Sequence, residues 1–397
     1  MRRLLFPCIL SLCAACAPQI APMAASTGTP TSVPLLSPAV TLTLVTPPPV
    51  IVSGPWPLID NVAIGQKGQL YASGYGADGD GLRHFVQWHD EGWTELGTGF
   101  RTAGNSLAVD AAGRLYTEIL KDDTRGNATA IIRWNGDGWQ DITGNFSVVV
   151  DSLRPGRISS NIPVTALAFD GAGNLYAGGM FYYPSADNAA EIAMGYAAMW
   201  NGDHWTRLGE GFDGVNVYAL VATAAGDVYV SGEQPLTAEG ESGYMAEWHG
   251  AGWTQIETGN PDISLHLAIG QARRLYAAGQ RTVGGAFIGY LDGTQWTTIA
   301  DQFSEGPAIF ALAATPAGLL CVGGEFGSVS GVPARNIACW NGAVWQPLAG
   351  GVNERVFALA FDSSGDLYAA GYFTEAGGRP ANHVARWDGE RWHTVAP

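Results

Sequence analysis

Two short patterns alternate along this chain without a skip, and they decide what it can fold into. The first is an apolar run, a turn, and then Leu-Tyr-Ala-x-Gly, whose Tyr position falls at Tyr71, Tyr116, Tyr176, Tyr229, Tyr276, Cys321 and Tyr368. The second is Trp-Asn-Gly-x-x-Trp, whose first position falls at Trp88, Trp134, Trp200, Trp248, Leu291, Trp340 and Trp387. A unit of about 45 to 50 residues that cannot bury its own faces must stack against its neighbours, which is the logic of propeller blades.

Each of the seven copies reads as four strands, a to d. Strand a is of the Val-x-Ala-Leu-Ala type, as in Val356 to Phe361. A turn follows, as in Asp110-Ala-Ala-Gly113, Asp170-Gly-Ala-Gly173 and Asp362-Ser-Ser-Gly365. The Asp bonds its own backbone and the Gly supplies the positive φ. Strand b is Leu-Tyr-Ala-Gly-Gly at Leu175 to Gly179, strand c ends in the first Trp, and strand d begins at the second. Asn135-Gly136, Asn201-Gly202 and Asn341-Gly342 between the tryptophans signal tight hairpins. Small residues crowd strand a and tryptophans crowd strands c and d, which suits wedge-shaped blades that narrow toward an axis. An open β-solenoid fits a four-strand unit of this length poorly. The expected fold is therefore an all-β, seven-bladed β-propeller with four antiparallel strands per blade over residues 55–397.

Gly323-Gly324-Glu325-Phe326 through Pro333-Ala334-Arg335-Asn336-Ile337-Ala338-Cys339-Trp340-Asn341-Gly342, and Tyr372-Phe373-Thr374-Glu375-Ala376-Gly377-Gly378 through Trp387-Asp388-Gly389, resemble bacterial secreted propellers of the kelch/galactose-oxidase-like group. The resemblance covers Leu58 to Pro397. It is strongest in copies three, six and seven and weaker in copies one and five, where Leu291 replaces Trp and Arg273 replaces the turn Gly. It implies a fold and no single activity. The Tyr, His and crosslinked Cys ligands of the copper oxidase cannot be placed on matching positions, so that activity is not carried over.

The N-terminus reads as an address. Met1-Arg2-Arg3 and the apolar stretch Leu4 to Ala15 form a signal peptide, too short to span a membrane. Cys13-Ala14-Ala15-Cys16 resembles a lipobox, with Cys13 where Leu is usual, and makes Cys16 the expected lipidation site over residues 1–16; ordinary cleavage and free secretion are the alternative. Residues 17–54 are an uncharged Pro/Ser/Thr-rich linker ending near Pro47-Pro48-Pro49. At about 3.1 Å per residue it reaches roughly 100 Å from a membrane. Val50-Ile51-Val52 either adds a strand to the last blade, or ring closure rests on side-chain packing between the first and last blades.

A net charge of −16 argues against nucleic acid and anionic membrane surfaces as partners and permits cationic ones. Cys321 and Cys339 are the two cysteines of the mature domain. Copy six alone has Cys at the Tyr position and alone has Cys before the first Trp, where the others carry Gln87, Arg133, Met199, Glu247, Tyr290 and Arg386. A paired change on adjacent strands of an exported protein reads as a disulfide, against the alternative of two buried thiols.

Function is expected on one rim. The a–b and c–d turns are short. The b–c and d–a connections vary, with long ones at Gly144 to Val164, Met180 to Tyr196 and Glu233 to Tyr244. Candidate binding residues there are Tyr182, Tyr183 and Asp187, with Phe181 and Glu191 beside them and Arg154 and Arg157 from the neighbouring connection. Aromatics stack on sugars or peptide side chains, and arginine forks to carboxylates. The plainer reading has Phe181 and Tyr183 filling a gap between blades. Acids on the same rim (Asp187, Glu191, Glu233, Glu239, Glu241, Glu325, Glu375) cannot be paired across a scissile bond from sequence, so no catalytic residue is named. Asp78-Gly79-Asp80-Gly81 resembles a Ca²⁺ loop but lacks the later Glu of an EF-hand and reads as a turn. No metal site and no cofactor is expected, Ca²⁺ being the one ion the acidity permits. His89, His204, His249 and His393 fall in or beside c–d hairpins of different copies, have no zinc spacing or evident carboxylate partner, and read as solvated. The expected function is a surface-displayed, monomeric binding or scaffold module for an extracellular protein, peptide or glycan. The alternatives are an extracellular polysaccharide hydrolase or lyase with carboxylates at the channel mouth, and a subunit of an envelope complex.

Overall fold

The structure is a computed structural model. Its described residues are 43–44, 51–52 and 58–395, less 77–78, 90–91, 102–105, 124–125, 145–163, 185–191, 210–215, 238–239, 258–262, 281–284, 294 and 307. The chain divides into units 1–40 and 41–397, and every described residue belongs to the second. The signal segment, Cys16 and most of the linker lie outside the described residues.

Seven antiparallel sheets follow one another, each with its strands in the order a-b-c-d. The a strands are Leu58–Ile64, Leu107–Val109, Val164–Phe169, Asn216–Ala222, Ile263–Ile269, Ala308–Ala314 and Val356–Phe361. They touch in cyclic order, and the last lies against the first. The chain is a β-propeller, and we number its blades one to seven in chain order. Among the described residues the only helical element is the three-residue 3-10 turn Gln271–Arg273.

The turn and hairpin chemistry follows from single side chains. Asp170 Oδ1 accepts the N–H groups of Ala172 and Asn174, both at 2.9 Å, and Asp110 and Asp362 do the same in their own turns. Blade 5 lacks the turn glycine, yet Arg273 still takes a left-handed φ of 62°. In six blades the two tryptophans of the repeat stand directly opposite each other across the c–d hairpin, as Trp134 and Trp139 do, with ring centroids 5.4 Å apart, and in blade 5 Leu291 faces Trp296. Cys321 and Cys339 form a direct cross-strand pair in blade 6, both buried, and are joined by a disulfide.

The described residues of the linker do not add a strand to the last blade. Ile51–Val52 pairs with Thr94 and Trp93 on the outer strand of blade 1, and Thr43–Leu44 pairs with Gln140 and Trp139 on that of blade 2. The short stretch from Val52 to Leu58 sets this choice. It spans about 20 Å at most, just over the roughly 19 Å from this fifth strand, outside strand d, to the inner strand of the same blade. Among the described residues blade 7 is built from its own repeat alone. The ring closes on side chains: Val62, Leu70 and Trp93 of blade 1 pack with Ala358, Val384 and Val395 of blade 7.

Two of the long b–c connections are β-ribbons rather than open loops. In blade 3 strands b and c run on as Leu175–Pro184 and Ile192–Trp200, and in blade 4 as Val228–Thr237 and Gly240–Trp248. Continuing the ladder satisfies the backbone N–H and C=O groups of the connection, and the Phe-Tyr-Tyr run at 181–183 favours extended backbone.

Candidate functional site

Six of the seven described a strands carry a register shift near the N-terminal end, where the chain enters from the variable rim; the short Leu107–Val109 of blade 2 does not. The extra residues are Asp60, Thr165, Tyr218, Leu265, Phe310 and Phe357 in blades 1, 3, 4, 5, 6 and 7. A bulge leaves one residue out of the ladder and re-aims its side chain. Opposite each bulge lies the last Gly of Leu-Tyr-Ala-x-Gly. A Cβ on Gly371 would run into the carbonyl oxygen of Arg355, and one on Gly324 into that of Ala308. The glycine of the repeat therefore makes room for the bulge.

The bulges ring one mouth of the central channel. A cavity of about 290 Å³ is lined by all seven a strands. A second set is the residue that follows the glycine at the end of strand b: Tyr75, Glu233, Gln280, Glu325 and Tyr372 among the described side chains. The two sets differ from blade to blade, whereas the Tyr of strand b and the tryptophans largely repeat.

Blades 6, 7 and 1 carry the aromatic part. The Phe310 and Phe357 rings lie 5.1 Å apart and Phe357 meets Tyr372 edge-on at 4.6 Å. Tyr75 and Tyr372 hold equivalent positions in adjacent blades, and each is 37% exposed. Beneath Tyr75, the buried Arg83 forks onto Asp60, with Nη2 2.9 Å from Oδ2, and donates to Ser73 Oγ at 3.1 Å. Its guanidinium carbon sits 4.8 Å from the Tyr75 ring centroid. Beside Tyr372, Arg355 forks onto Glu325 at 2.7 and 3.1 Å over a cleft of about 350 Å³ between blades 6 and 7. Elsewhere around the mouth the Tyr218 hydroxyl donates to Glu233 at 2.5 Å. His266 Nε2 donates to the carbonyl of Ile309 in the next blade at 3.2 Å. Burial pushes the His266 pKa down to about 4, against a smaller upward pull from that bond, so the ring is neutral at pH 7.

Of the residues expected to bind, Tyr182 and Tyr183 fall on the blade 3 ribbon, where their backbones pair with Met194 and Ala193. Their side chains lie outside the described residues, as do Asp187, Arg154 and Arg157. Glu325 and Glu375 are on the expected rim, the first held by Arg355. Asp80 accepts the N–H of Leu82 at 2.8 Å, as in a plain turn. The c–d histidines do have carboxylate neighbours: His249 Nε2 lies 3.0 Å from Glu247 and His393 Nε2 2.5 Å from Asp388. Glu247 and Asp388 are only two and five residues away, but His249 Nδ1 also lies 3.4 Å from Asp227, 22 residues earlier in the same blade. Phe310, Phe357, Tyr75, Tyr372, Asp60 and Arg83 were not singled out by the sequence. Aligning the copies on the apolar-x-Ala start of strand a would have found the bulge residues Thr165, Tyr218, Phe310 and Phe357; blades 1 and 5 escape it, because Asn61 and His266 stand at their Ala position.

No protein-family model matches the chain, and no curated protein matches it in sequence. Solved structures do. U3-55K superposes with a TM-score of 0.53 at 13% identity, over 85% of this chain and 98% of that one. The GH74 xyloglucanase from Xanthomonas campestris gives 0.53 at 17% identity over 85% of this chain. This chain covers about half of the xyloglucanase, 52% of its length. At these identities the likeness shows the fold.

Proposed function

We propose that this chain is an exported β-propeller that binds rather than catalyses, offering the b–c/d–a rim and the channel mouth to an extracellular protein, peptide or glycan. The observation that carries the reading is that bulged strand-a residues of differing chemistry face one channel mouth, on a scaffold whose Tyr, Trp and turn positions largely repeat. Variable side chains on a rigid frame are the usual layout of a binding surface. Three of the carboxylates at the mouth are already engaged, Asp60 and Glu325 each forked by an arginine and Glu233 bonded by Tyr218, which supports binding over acid–base chemistry at those three.

Export is part of the proposal. The Cys321–Cys339 disulfide fits an oxidising compartment, and lipidation of Cys16 with the Pro-rich linker would display the propeller at the cell envelope. Among the described residues no helix is long and apolar enough to cross a membrane. The expressed chain should partition with membranes, and Cys16→Ser should release it; a wild-type chain found entirely in the soluble fraction would refute the anchor. Binding is tested by a thermal-shift screen of the mature protein against glycans and peptides. A ligand at about a hundred times its Kd adds about 2.7 kcal/mol. Absence of any shift, together with no partner captured in a pull-down, would refute the binding reading.

A further inference from the structure

The mouth over blades 6, 7 and 1 has a composition that narrows the ligand. Phe310, Phe357 and Tyr372 form a continuous aromatic arc, and Tyr75 holds the position equivalent to Tyr372 on the adjacent blade 1. Aromatic rings in a concave site offer flat apolar faces, and hydroxyls at their edges offer hydrogen bonds. Two ion pairs stand beside the arc: Asp60 is forked by Arg83, which is itself buried, and Glu325 is forked by Arg355. Glu305, Glu354 and Arg335 line the cleft as well, two acids to one base. A charged ligand that engaged the forks would have to take Arg355 from Glu325 or Asp60 from Arg83. A ligand with no net charge leaves both forks intact.

The second fork also faces outward. Arg355 and Glu325 remain 44% and 39% exposed, so the guanidinium and carboxylate keep donor and acceptor positions for a ligand. The Tyr372 N–H is bonded to the carbonyl of Arg355 at 2.9 Å, which sets the aromatic and polar walls side by side. Asn353 lines the same cleft, its side chain already engaged with the 374–375 backbone. An apolar wall next to a rim of planar hydrogen-bonding groups matches a ring with one apolar face and a belt of hydroxyls.

We propose that the arc Phe310–Phe357–Tyr372–Tyr75, with the Arg355–Glu325 fork at its edge, is a subsite for an uncharged pyranose of an extracellular glycan. The proposal rests on the binding reading above and commits it to one ligand class and one sector of the rim. The same sector is poorly suited to a polyanionic polysaccharide, because the chain as a whole carries −16 and Glu305, Glu325 and Glu354 outnumber Arg335 and Arg355 in the cleft.

The test is calorimetric titration of the mature protein with cellohexaose, mannohexaose, chitohexaose and a xyloglucan oligosaccharide, with an oligogalacturonate as the charged counterpart. At least one uncharged oligosaccharide should bind, more tightly than the oligogalacturonate. Tyr372→Ala and Tyr75→Ala should each weaken it about tenfold or more. Both side chains are surface-exposed, and unchanged melting temperatures would show that the variants fold. Arg355→Ala should weaken binding as well, through the hydrogen-bonding edge rather than the stack. Lack of binding by every uncharged oligosaccharide at about 1 mM overturns the subsite, while the wider rim reading then stands or falls on the peptide and pull-down arms. Binding that survives both tyrosine variants also overturns the subsite and moves the glycan elsewhere on the rim.

Discussion

The indole N–H of Trp139 donates to the backbone carbonyl of Leu96, 2.6 Å away and 43 residues earlier in the chain, on the neighbouring blade. The same bond joins Trp205 to Ile142, Trp253 to Leu208, Trp345 to Ile299 and Trp392 to Leu348. Each carbonyl belongs to the residue three positions after the second Trp of the preceding repeat. The second Trp is thus a latch between blades as well as a filler of the outer gap. Toward the axis the stitching runs the other way: Thr165 Oγ1 donates to Val217 O at 2.7 Å and His266 to Ile309 O.

Trp139→Phe keeps an aromatic ring in the gap and removes the donor. Trp139 is fully buried, so the Leu96 carbonyl loses its partner where water does not replace it. The unsatisfied carbonyl and the smaller ring together should cost about 3 kcal/mol. Urea denaturation should show a lower midpoint with an unchanged slope. An unchanged midpoint would mean the latch contributes nothing net.

The glycine facing each bulge gives a second prediction. Gly371→Ala sets a methyl group against the Arg355 carbonyl, and the strand can only open to accommodate it. The cost should be about 2–3 kcal/mol, with part of the damage at Phe357 and Tyr372, which straddle the same bulge. Gly389→Ala, in the exposed hairpin turn with nothing within reach of its Cβ, is the comparison, and its smaller penalty comes from φ alone. Equal melting temperatures for the two variants would refute the packing argument.

The architecture was legible because it repeats. The alternation of Tyr71 to Tyr368 with Trp88 to Trp387 gave the blades, the strand order and the pairing of Cys321 with Cys339 on adjacent strands. The path of the linker was not legible, because Ile51-Val52 carries an equally good edge strand for any blade and only the reach to Leu58 decides. The mouth was legible in place but not in composition. Long connections draw attention to themselves, whereas Phe310 and Phe357 are single residues in otherwise regular strands, and their exposure depends on a bulge that no turn signal marks.

His266 should make the fold acid-sensitive. Its folded pKa of about 4 lies below the unfolded value of 6.5, so between these limits the unfolded chain binds a proton that the native chain refuses. Stability therefore rises with pH across that window and falls as pH drops from 6.5 toward 4; below 4 the native ring also protonates and the loss levels off. The difference of 2.5 corresponds to about 3 kcal/mol at most. His266→Gln keeps a donor for the Ile309 carbonyl and should flatten the stability profile between pH 6.5 and 4. A variant with the wild-type acid limb would assign that limb to other groups.

The disulfide closes a loop of 18 residues, the whole b–c connection of blade 6. Constraining a loop of that size in the unfolded chain stabilises by about 3 kcal/mol. Cys321→Ala with Cys339→Val should lose about 2–4 kcal/mol, with the larger part in the hairpin that carries Glu325 and Arg335. Because both sulfurs are buried, mild reductant should leave the native protein oxidised and take effect only under unfolding conditions. Rapid reduction of the native fold would show that blade 6 opens locally.

Blade 5 is where the repeat departs furthest from its own pattern, and it offers a gain in stability. Arg273 stands where the other turns place glycine, and holds φ at 62° beside Ala272 at 55°. A left-handed residue with a Cβ is disfavoured by about 1 kcal/mol, and Arg273→Gly removes that cost. Against this, Arg273 is ion-paired with Asp227 on the surface, where its side chain is 55% exposed. An exposed pair contributes about 0–1 kcal/mol and is screened by salt. The two terms oppose each other, and salt separates them: Arg273→Gly should stabilise by about 0.5–1 kcal/mol in 0.5 M salt and by less at low ionic strength. Thermal melts of both proteins across a salt series would show it. A variant less stable than wild type at high salt would mean that the left-handed turn costs Arg273 nothing.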